Sequence, residues 1–108
     1  MKPPNRDNAV GPLTDPEAAS TAARFLKVLA NDSRLMVLCS LHEGELCVGE
    51  LQARTPLSQS ALSQHLQVLR REGLVTTRRE AQTIYYRIAD PRVRALMPQV
   101  CALFGGQA

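Results

Sequence analysis

Apolar residues recur every three to four positions in the first third of the chain, which is the spacing of one helix face. A first helix is predicted over residues 16–30, with Asp15 as its N-cap and proline at its first position. Asn31 and Asp32 restart the pattern with a second cap, and residues 35–41 are apolar apart from one serine. We therefore expect two consecutive helices, the second of them buried on most sides.

Two further helices are predicted in the middle of the chain. The first covers residues 48–54, with Cys47 in the cap position and a glutamate three residues later. A turn follows, and Ser58 then caps a helix over residues 59–71 that Gly73 ends. This helix carries leucines on one face and serines and glutamines on the others, so one side is expected to be buried and the other to be in water.

The apolar period changes from 3.6 to 2 between residues 74 and 88, which predicts a β-hairpin with a polar turn at residues 79–82. Asp90 and a following proline open a last helix, whose apolar stripe extends to residue 104. Because Pro98 lies inside this helix, we expect a kink or a break near Met97.

A short helix, a turn, a helix with a polar face and then a basic hairpin is the order of a winged helix-turn-helix. The predicted fold class is mainly α with a small β-hairpin: five helices plus the wing. Residues 1–13 contain three prolines and no periodicity and are interpreted as a flexible tail. The domain is expected over residues 14–104, with a second tail at 105–108.

The charge distribution indicates a polyanion as partner. The 108 residues carry a net charge of +3, but residues 54–94 hold eight arginines against three carboxylates, so the rest of the chain is slightly acidic. A basic surface without function is the alternative at this point. The chain shows neither an apolar run that could cross a membrane nor a signal peptide, so a cytoplasmic protein is expected.

The inventory of reactive side chains argues against an enzyme. There is no glycine-rich phosphate loop and no nucleophile–histidine–carboxylate set, and the two histidines, His42 and His65, lie on different helices. The rival hypothesis is a winged protein-interaction module without DNA binding. The arginines of the hairpin argue against that hypothesis, because such a module would have no reason to keep them.

Two adjoining segments, LSQSALSQHLQVLRREGLV (57–75) and TTRREAQTIYYRI (76–88), strongly resemble the ArsR/SmtB family of winged-helix repressors. FLKVLANDSRLMVLCSL (25–41) and GELCVGEL (44–51) extend the similarity to roughly residues 16–104. Within the family the chain is most similar to the thiol- and persulfide-responsive BigR/SqrR/HlyU branch. The resemblance implies a homodimer, held by the first and last helices, that binds an inverted-repeat operator in double-stranded DNA and leaves it when an inducer acts.

The resemblance also implies which residues contact DNA. Amide and hydroxyl groups at positions 59, 60, 63 and 64 have the chemistry that reads base edges, and arginines on a wing can meet phosphates. For His65, a packing role remains as good an interpretation as a DNA contact. The implied residues are Gln59, Ser60, Ser63, Gln64 and His65 on the helix, and Arg78, Arg79 and Gln82 on the wing.

The cysteines do not fit the metal sites of the family. Its arsenic-type motif is Cys-Val-Cys, and here the sequence is Cys47-Val48-Gly49; its zinc-type site needs histidines and carboxylates that residues 91–104 lack. No metal and no cofactor are therefore expected. A metalloid-responsive repressor that uses Cys39, Cys47 and Cys101 stays open as an alternative.

The thiol-responsive branch implies a pair of redox-sensing cysteines, one in the second helix and one near the end of the last. Cys39 matches the first position, but the second falls near Gly105, and the chain offers Cys101 one helical turn earlier. We expect Cys39 and Cys101 to be the sensing thiols if their Cα atoms come within about 7 Å. The alternative for Cys39 is a small buried side chain, and for Cys47 a poor cap without a regulatory role.

Overall fold

The computed structural model describes residues 11–106, so most of the first predicted tail and the end of the second lie outside the described residues. Within this range the chain forms five helices and three short strands, and the predicted fold class is confirmed. The elements are α1 (Pro16–Leu29), α2 (Asp32–Leu41), β1 (Leu46–Cys47), α3 (Val48–Arg54), α4 (Gln59–Arg71), β2 (Val75–Glu80), β3 (Thr83–Ile88) and α5 (Pro91–Phe104).

Four helices begin where local capping chemistry predicts. The side chains of Asp15, Asn31 and Ser58 each accept the backbone N–H three residues ahead, at 3.2, 3.0 and 3.1 Å. Asp90 accepts an N–H two residues ahead at 2.7 Å. Each side chain satisfies a donor that would otherwise lack a partner in the first helical turn, so the helix starts are encoded locally.

Of the kink or break predicted at Pro98, the break is wrong, because α5 continues through the proline to Phe104. The proline ring lies on an exposed side of the helix, whereas Val93 and Met97 are fully buried. A proline removes one intrahelical hydrogen bond and crowds the preceding turn, at a cost of about 3 kcal/mol. Packing of the buried side chains on both sides of the proline offsets that cost and keeps the helix in one piece.

The wing is a three-stranded sheet rather than the predicted two-stranded hairpin. Strand order is β1-β3-β2 with antiparallel pairing, and the two residues of β1 lie opposite Tyr86 and Tyr85. The predicted turn is also too wide, because β2 and β3 pair as far as Glu80 and Thr83. Two residues then remain for the turn, and the first of them, Ala81, adopts a left-handed φ of 57°.

Helix α2 is the centre of the molecule. It contacts α3, α4 and α5 as well as β3, and its residues Val37 and Leu38 are completely buried. The buried face of α4 completes this core, with Leu62, Leu66 and Leu69 each at most 1% exposed. Helices α4 and α5 are therefore both packed against α2. None of the helices in the described part of the chain is long and apolar enough to cross a membrane.

Candidate nucleic-acid interface and thiol pair

The predicted reading residues lie on the exposed surface of α4. Its apolar face is buried, so Gln59, Ser60, Ser63 and Gln64 are all exposed, and they come from the N-terminal two turns of the helix. An α-helix fits the major groove of B-DNA, and amide and hydroxyl groups there can donate to and accept from base edges. The structure thus presents the hydrogen-bonding groups that a reading helix needs.

A buried polar side chain lies at the C-terminal end of α3, in the turn before α4. Thr55, the C-cap of α3, is 9% exposed, and its Oγ1 donates to the carbonyl oxygen of Leu51 at 2.8 Å. The hydroxyl satisfies one carbonyl at the end of the helix without exposing it to water. Three residues after Thr55, Ser58 is the N-cap with which α4 begins.

His65 occupies an intermediate position on the same helix. It is half-buried, whereas its neighbours Ser63 and Gln64 are exposed. Helical geometry places it on the flank of the face formed by Leu62, Leu66 and Leu69. Both interpretations given above, packing and DNA contact, remain compatible with this placement, and its DNA contact stays a prediction.

The two adjacent wing arginines have different surroundings. Successive strand residues face opposite sides of a sheet, so Arg78 and Arg79 project from opposite faces of the wing. Arg78 Nε donates to Glu45 Oε1 at 2.7 Å, Nη1 donates to Glu80 Oε1 at 3.2 Å, and the guanidinium lies 4.7 Å from the ring centre of Tyr85. Arg79 is exposed and makes no side-chain hydrogen bond or ion pair within residues 11–106.

Arg78 and Glu45 each favour the charged form of the other. The hydrogen bond from Arg78 is the main reason that the pKa of Glu45 is lowered from 4.5. The carboxylates of Glu45 and then Glu80 raise the pKa of Arg78 in return. Arg78 therefore shares its single positive charge with two carboxylates, while no carboxylate of residues 11–106 pairs with Arg79. The third predicted wing residue, Gln82, is exposed in the two-residue turn.

Cys39 on α2 and Cys101 on α5 form a disulfide in this structure. Their Cα atoms are 6.1 Å apart, although 62 positions separate them in the sequence. The one-turn displacement of Cys101 from the position expected near Gly105 therefore does not prevent a bridge. The distance condition stated above is met, and a role of the pair in sensing stays a prediction.

The disulfide borders an apolar cavity of about 520 Å³ between α2 and α5. Among residues 11–106, neither a charged side chain nor a side-chain amide or hydroxyl lines it. Besides the two cysteines, its walls are Leu35, Met36, Val100, Phe104 and Gly105. One side of the thiol pair thus borders an open groove lined by hydrocarbon and thioether groups.

Cys47 lies apart from the disulfide-bonded pair. It is a free, half-buried cysteine at the end of β1, and its backbone N–H donates to Glu50 Oε1 at 2.9 Å. That hydrogen bond is the largest cause of a lowered pKa for Glu50. In the part of the chain that the structure describes, no three His, Cys, Asp or Glu side chains come together where they could hold a metal ion.

Sequence reasoning missed Glu45, Tyr85 and strand β1 as parts of the wing. A glutamate 33 residues before Arg78 gives no local sign of pairing with it. The alternation of β2 could have shown that Glu80 shares a face with Arg78, because the two are separated by one residue. The contact with Glu45 requires the fold.

Comparison with known proteins assigns the family. Residues 31–77 match the sequence profile described as bacterial regulatory protein, arsR family. The transcriptional activator HlyU of Vibrio cholerae is 50% identical over 86 residues, which are 80% of this chain and 80% of that protein. The chain belongs to the ArsR family. Another member, the biofilm growth-associated repressor of Agrobacterium fabrum, is 46% identical over 80% of this chain and 74% of that protein.

The fold agrees with this membership of the ArsR family. The crystal structure of HlyU from Vibrio vulnificus superposes with a TM-score of 0.78 at 52% sequence identity, covering 82% of this chain and 92% of that one. The expected family and the winged-helix architecture are both confirmed. As an ArsR-family protein, the chain is a DNA-binding transcriptional regulator.

Proposed function

We propose that this chain is a repressor that binds an inverted-repeat operator as a homodimer and is released when Cys39 and Cys101 are oxidised to a disulfide. The observation that carries the proposal is the bridge between α2 and α5, with Cα atoms 6.1 Å apart. The related biofilm growth-associated repressor of Agrobacterium fabrum supports repression, although the related HlyU is called an activator.

The proposal assigns sequence recognition to α4 and phosphate contacts to the wing. The support is the exposure of the amide and hydroxyl side chains of α4 and of Arg79, which pairs with no carboxylate of residues 11–106. Each phosphate neutralised by a protein cation releases counterions, so affinity falls as salt rises. A dimer that neutralises about six phosphates gives a slope of log K against log salt near −5.

Exposed apolar side chains on the first and last helices support the homodimer. Leu26 on α1 is 51% exposed, and Leu103 and Phe104 at the end of α5 are 76% and 83% exposed. Large apolar side chains left in water cost free energy, and burying them between two chains recovers it in proportion to area. A twofold dimer would also present two reading helices to the halves of an inverted repeat.

The thiol pair is linked to the reading helix through α2. This helix contacts both α4 and α5, and the disulfide joins it to α5. In the proposed switch the two thiols lose two protons and two electrons as the Sγ–Sγ bond forms. Hydrogen peroxide takes these up to become two water molecules, and an organic trisulfide takes them up to become a thiol and a hydropersulfide. The disulfide then alters the distance between the two reading helices of the dimer, so one of them loses contacts with its half of the operator.

The test is operator binding by the Cys39→Ser, Cys47→Ser and Cys101→Ser variants, each with and without peroxide or an organic trisulfide. The operator is first obtained by selecting genomic fragments on the reduced protein. We expect oxidant to release the wild type and the Cys47→Ser variant. The Cys39→Ser and Cys101→Ser variants should stay bound, because neither can form the bridge.

Arsenite is added as a separate arm of the same titration. Release by arsenite but not by oxidant, together with a Cys47→Ser variant that no longer responds, would support the metalloid alternative and overturn the thiol switch. If no fragment is retained at low salt, DNA binding itself is refuted, and an interaction module takes its place.

The homodimer has its own test. We expect wild-type protein to sediment as a dimer at micromolar concentration and a Phe104→Glu variant to sediment as a monomer, because a charge would be buried in the interface. Arg54→Glu is the matched control, since it places the same side chain at an exposed site on α3. A folded wild-type monomer would contradict the proposal.

A further inference from the structure

Glu45 connects the wing to the chain segment that leads into the helix-turn-helix. It lies between α2 and β1, three residues before α3 begins, and its side chain is only 31% exposed. The carboxylate reaches Arg78 on β2, whose Nε donates to it at 2.7 Å. This contact joins residues that are 33 positions apart.

The guanidinium of Arg78 is fixed from further directions. Glu80, on the same face of β2, accepts from Nη1 at 3.2 Å, and Tyr85 lies beneath at 4.7 Å to its ring centre. Tyr85 is the strand partner of both Arg78 and Cys47, so these three residues form one row across the sheet. We call Glu45, Arg78, Glu80 and Tyr85 the wing clamp.

The wing clamp carries one positive and two negative charges, so its own net charge is negative. To bind a phosphate, the guanidinium of Arg78 would have to break its ion pairs with both carboxylates, which opposes that contact. Arg79 has no such contacts and projects from the opposite face of the same strand. Arg78 is therefore suited to a structural contact, and its neighbour Arg79 to a contact with a phosphate.

We propose that Glu45 is a positioning residue for DNA binding: it holds the wing through Arg78 and leaves Arg79 as the phosphate contact. The proposal rests on the proposed DNA binding. Glu45 and Arg78 keep β2 oriented relative to α3 and α4, so that Arg79 meets the backbone while α4 lies in the groove. The phosphates themselves are neutralised by Arg79.

Charge and positioning predict opposite effects for the Glu45→Gln variant. Removing a negative charge from a DNA-binding protein strengthens binding by Coulomb attraction alone. Loss of the clamp lets the wing move and weakens binding. Glu43→Gln is the matched control. It removes the same charge two residues away, from an exposed carboxylate that makes no side-chain hydrogen bond or ion pair within residues 11–106.

The experiment measures operator affinity at several salt concentrations for four variants of the full chain. We expect Glu45→Gln and Arg78→Ala to bind about fivefold more weakly than Glu43→Gln, the size expected for loss of an exposed ion-pair network. The salt slope of Arg78→Ala should equal that of the wild type. Arg79→Ala should flatten the slope by about 2, since a dimer loses two phosphate contacts.

The wing clamp is also measured without DNA. Amide hydrogen exchange in β2 and β3 should be faster in Glu45→Gln and Arg78→Ala than in Glu43→Gln, because the wing opens more often. Unchanged exchange would overturn the proposal, and so would a Glu45→Gln variant that binds DNA as tightly as Glu43→Gln.

The salt slopes and the exchange data also separate other outcomes. If Arg78→Ala and Arg79→Ala flatten the salt slope equally, Arg78 leaves the clamp to bind a phosphate, and the proposal is wrong. Failure of every protein to bind DNA, with exchange altered as expected, would refute the DNA-binding function and leave the clamp as a structural contact only.

Discussion

The reading surface and the thiol pair both involve helices packed against α2, but they are built in different ways. The reading surface consists of exposed polar side chains on α4 and the wing, each acting through its own hydrogen bonds or charge. The thiol pair is one covalent contact within apolar surroundings. A substitution on the reading surface should therefore lower DNA affinity or discrimination only in part. A substitution of either cysteine should abolish the contribution of the disulfide to stability and to the switch.

The largest expected effect belongs to the thiol pair. Closing a loop of about 60 residues lowers the entropy of the unfolded chain, and this corresponds to about 4 kcal/mol of stability. Urea unfolding of oxidised and reduced wild type at the same protein concentration should show that difference. It should vanish in Cys101→Ser and persist in Cys47→Ser, and equal midpoints for oxidised and reduced wild type would contradict the prediction.

On the reading surface, the Gln64→Ala variant should lose discrimination between operator and unrelated DNA by about 5- to 150-fold. A bidentate amide contact to a base contributes about 1–3 kcal/mol of discrimination. Competition binding against unrelated duplex measures the change. Gln99→Ala on α5 removes the same side chain from an exposed position on another helix and should behave as wild type. Equal effects of both substitutions would show that α4 does not read the sequence.

A smaller effect concerns the helix that carries the reading residues. Ser58→Ala removes the hydroxyl that accepts the Ala61 N–H at 3.1 Å and should lower the free energy of unfolding by about 1 kcal/mol. Ser20→Ala is the control, because Ser20 lies exposed within α1, where alanine is the better helix former. A Ser58→Ala protein as stable as the Ser20→Ala protein would argue against the cap.

The smallest effect is a pH dependence of the wing. Arg78 holds the pKa of Glu45 below its usual 4.5, so the attraction between them is complete above that value. It is lost as pH falls through the lowered pKa, because the folded protein then binds the proton that the unfolded chain already holds. We expect the Tyr85 ring resonances to shift below pH 4.5 in wild type and to shift less in Glu45→Gln. If the Tyr85 resonances depend on pH identically in the two proteins, the pH dependence of the wing does not arise from Glu45.

Much of the fold could be predicted because its signals are local. Asp15, Asn31, Ser58 and Asp90 mark helix starts through bonds to residues two or three positions away. The period of 2 in the wing is equally visible along the chain. Strand β1 was missed because two residues are too few to show any period, and they form a strand only by pairing with β3.

By itself the sequence determined the order of the helices, the hairpin, the polar face of α4 and the family, since each depends on neighbouring residues or on a motif. Only the tertiary structure decided that α5 passes through Pro98, that Cys101 reaches Cys39 and that Glu45 holds Arg78. It also left Arg79 without a hydrogen bond or ion pair among residues 11–106. These outcomes join residues 33 and 62 positions apart or depend on buried side chains along α5. Contacts of that kind arise from packing the elements against one another, and no local pattern of residues encodes them.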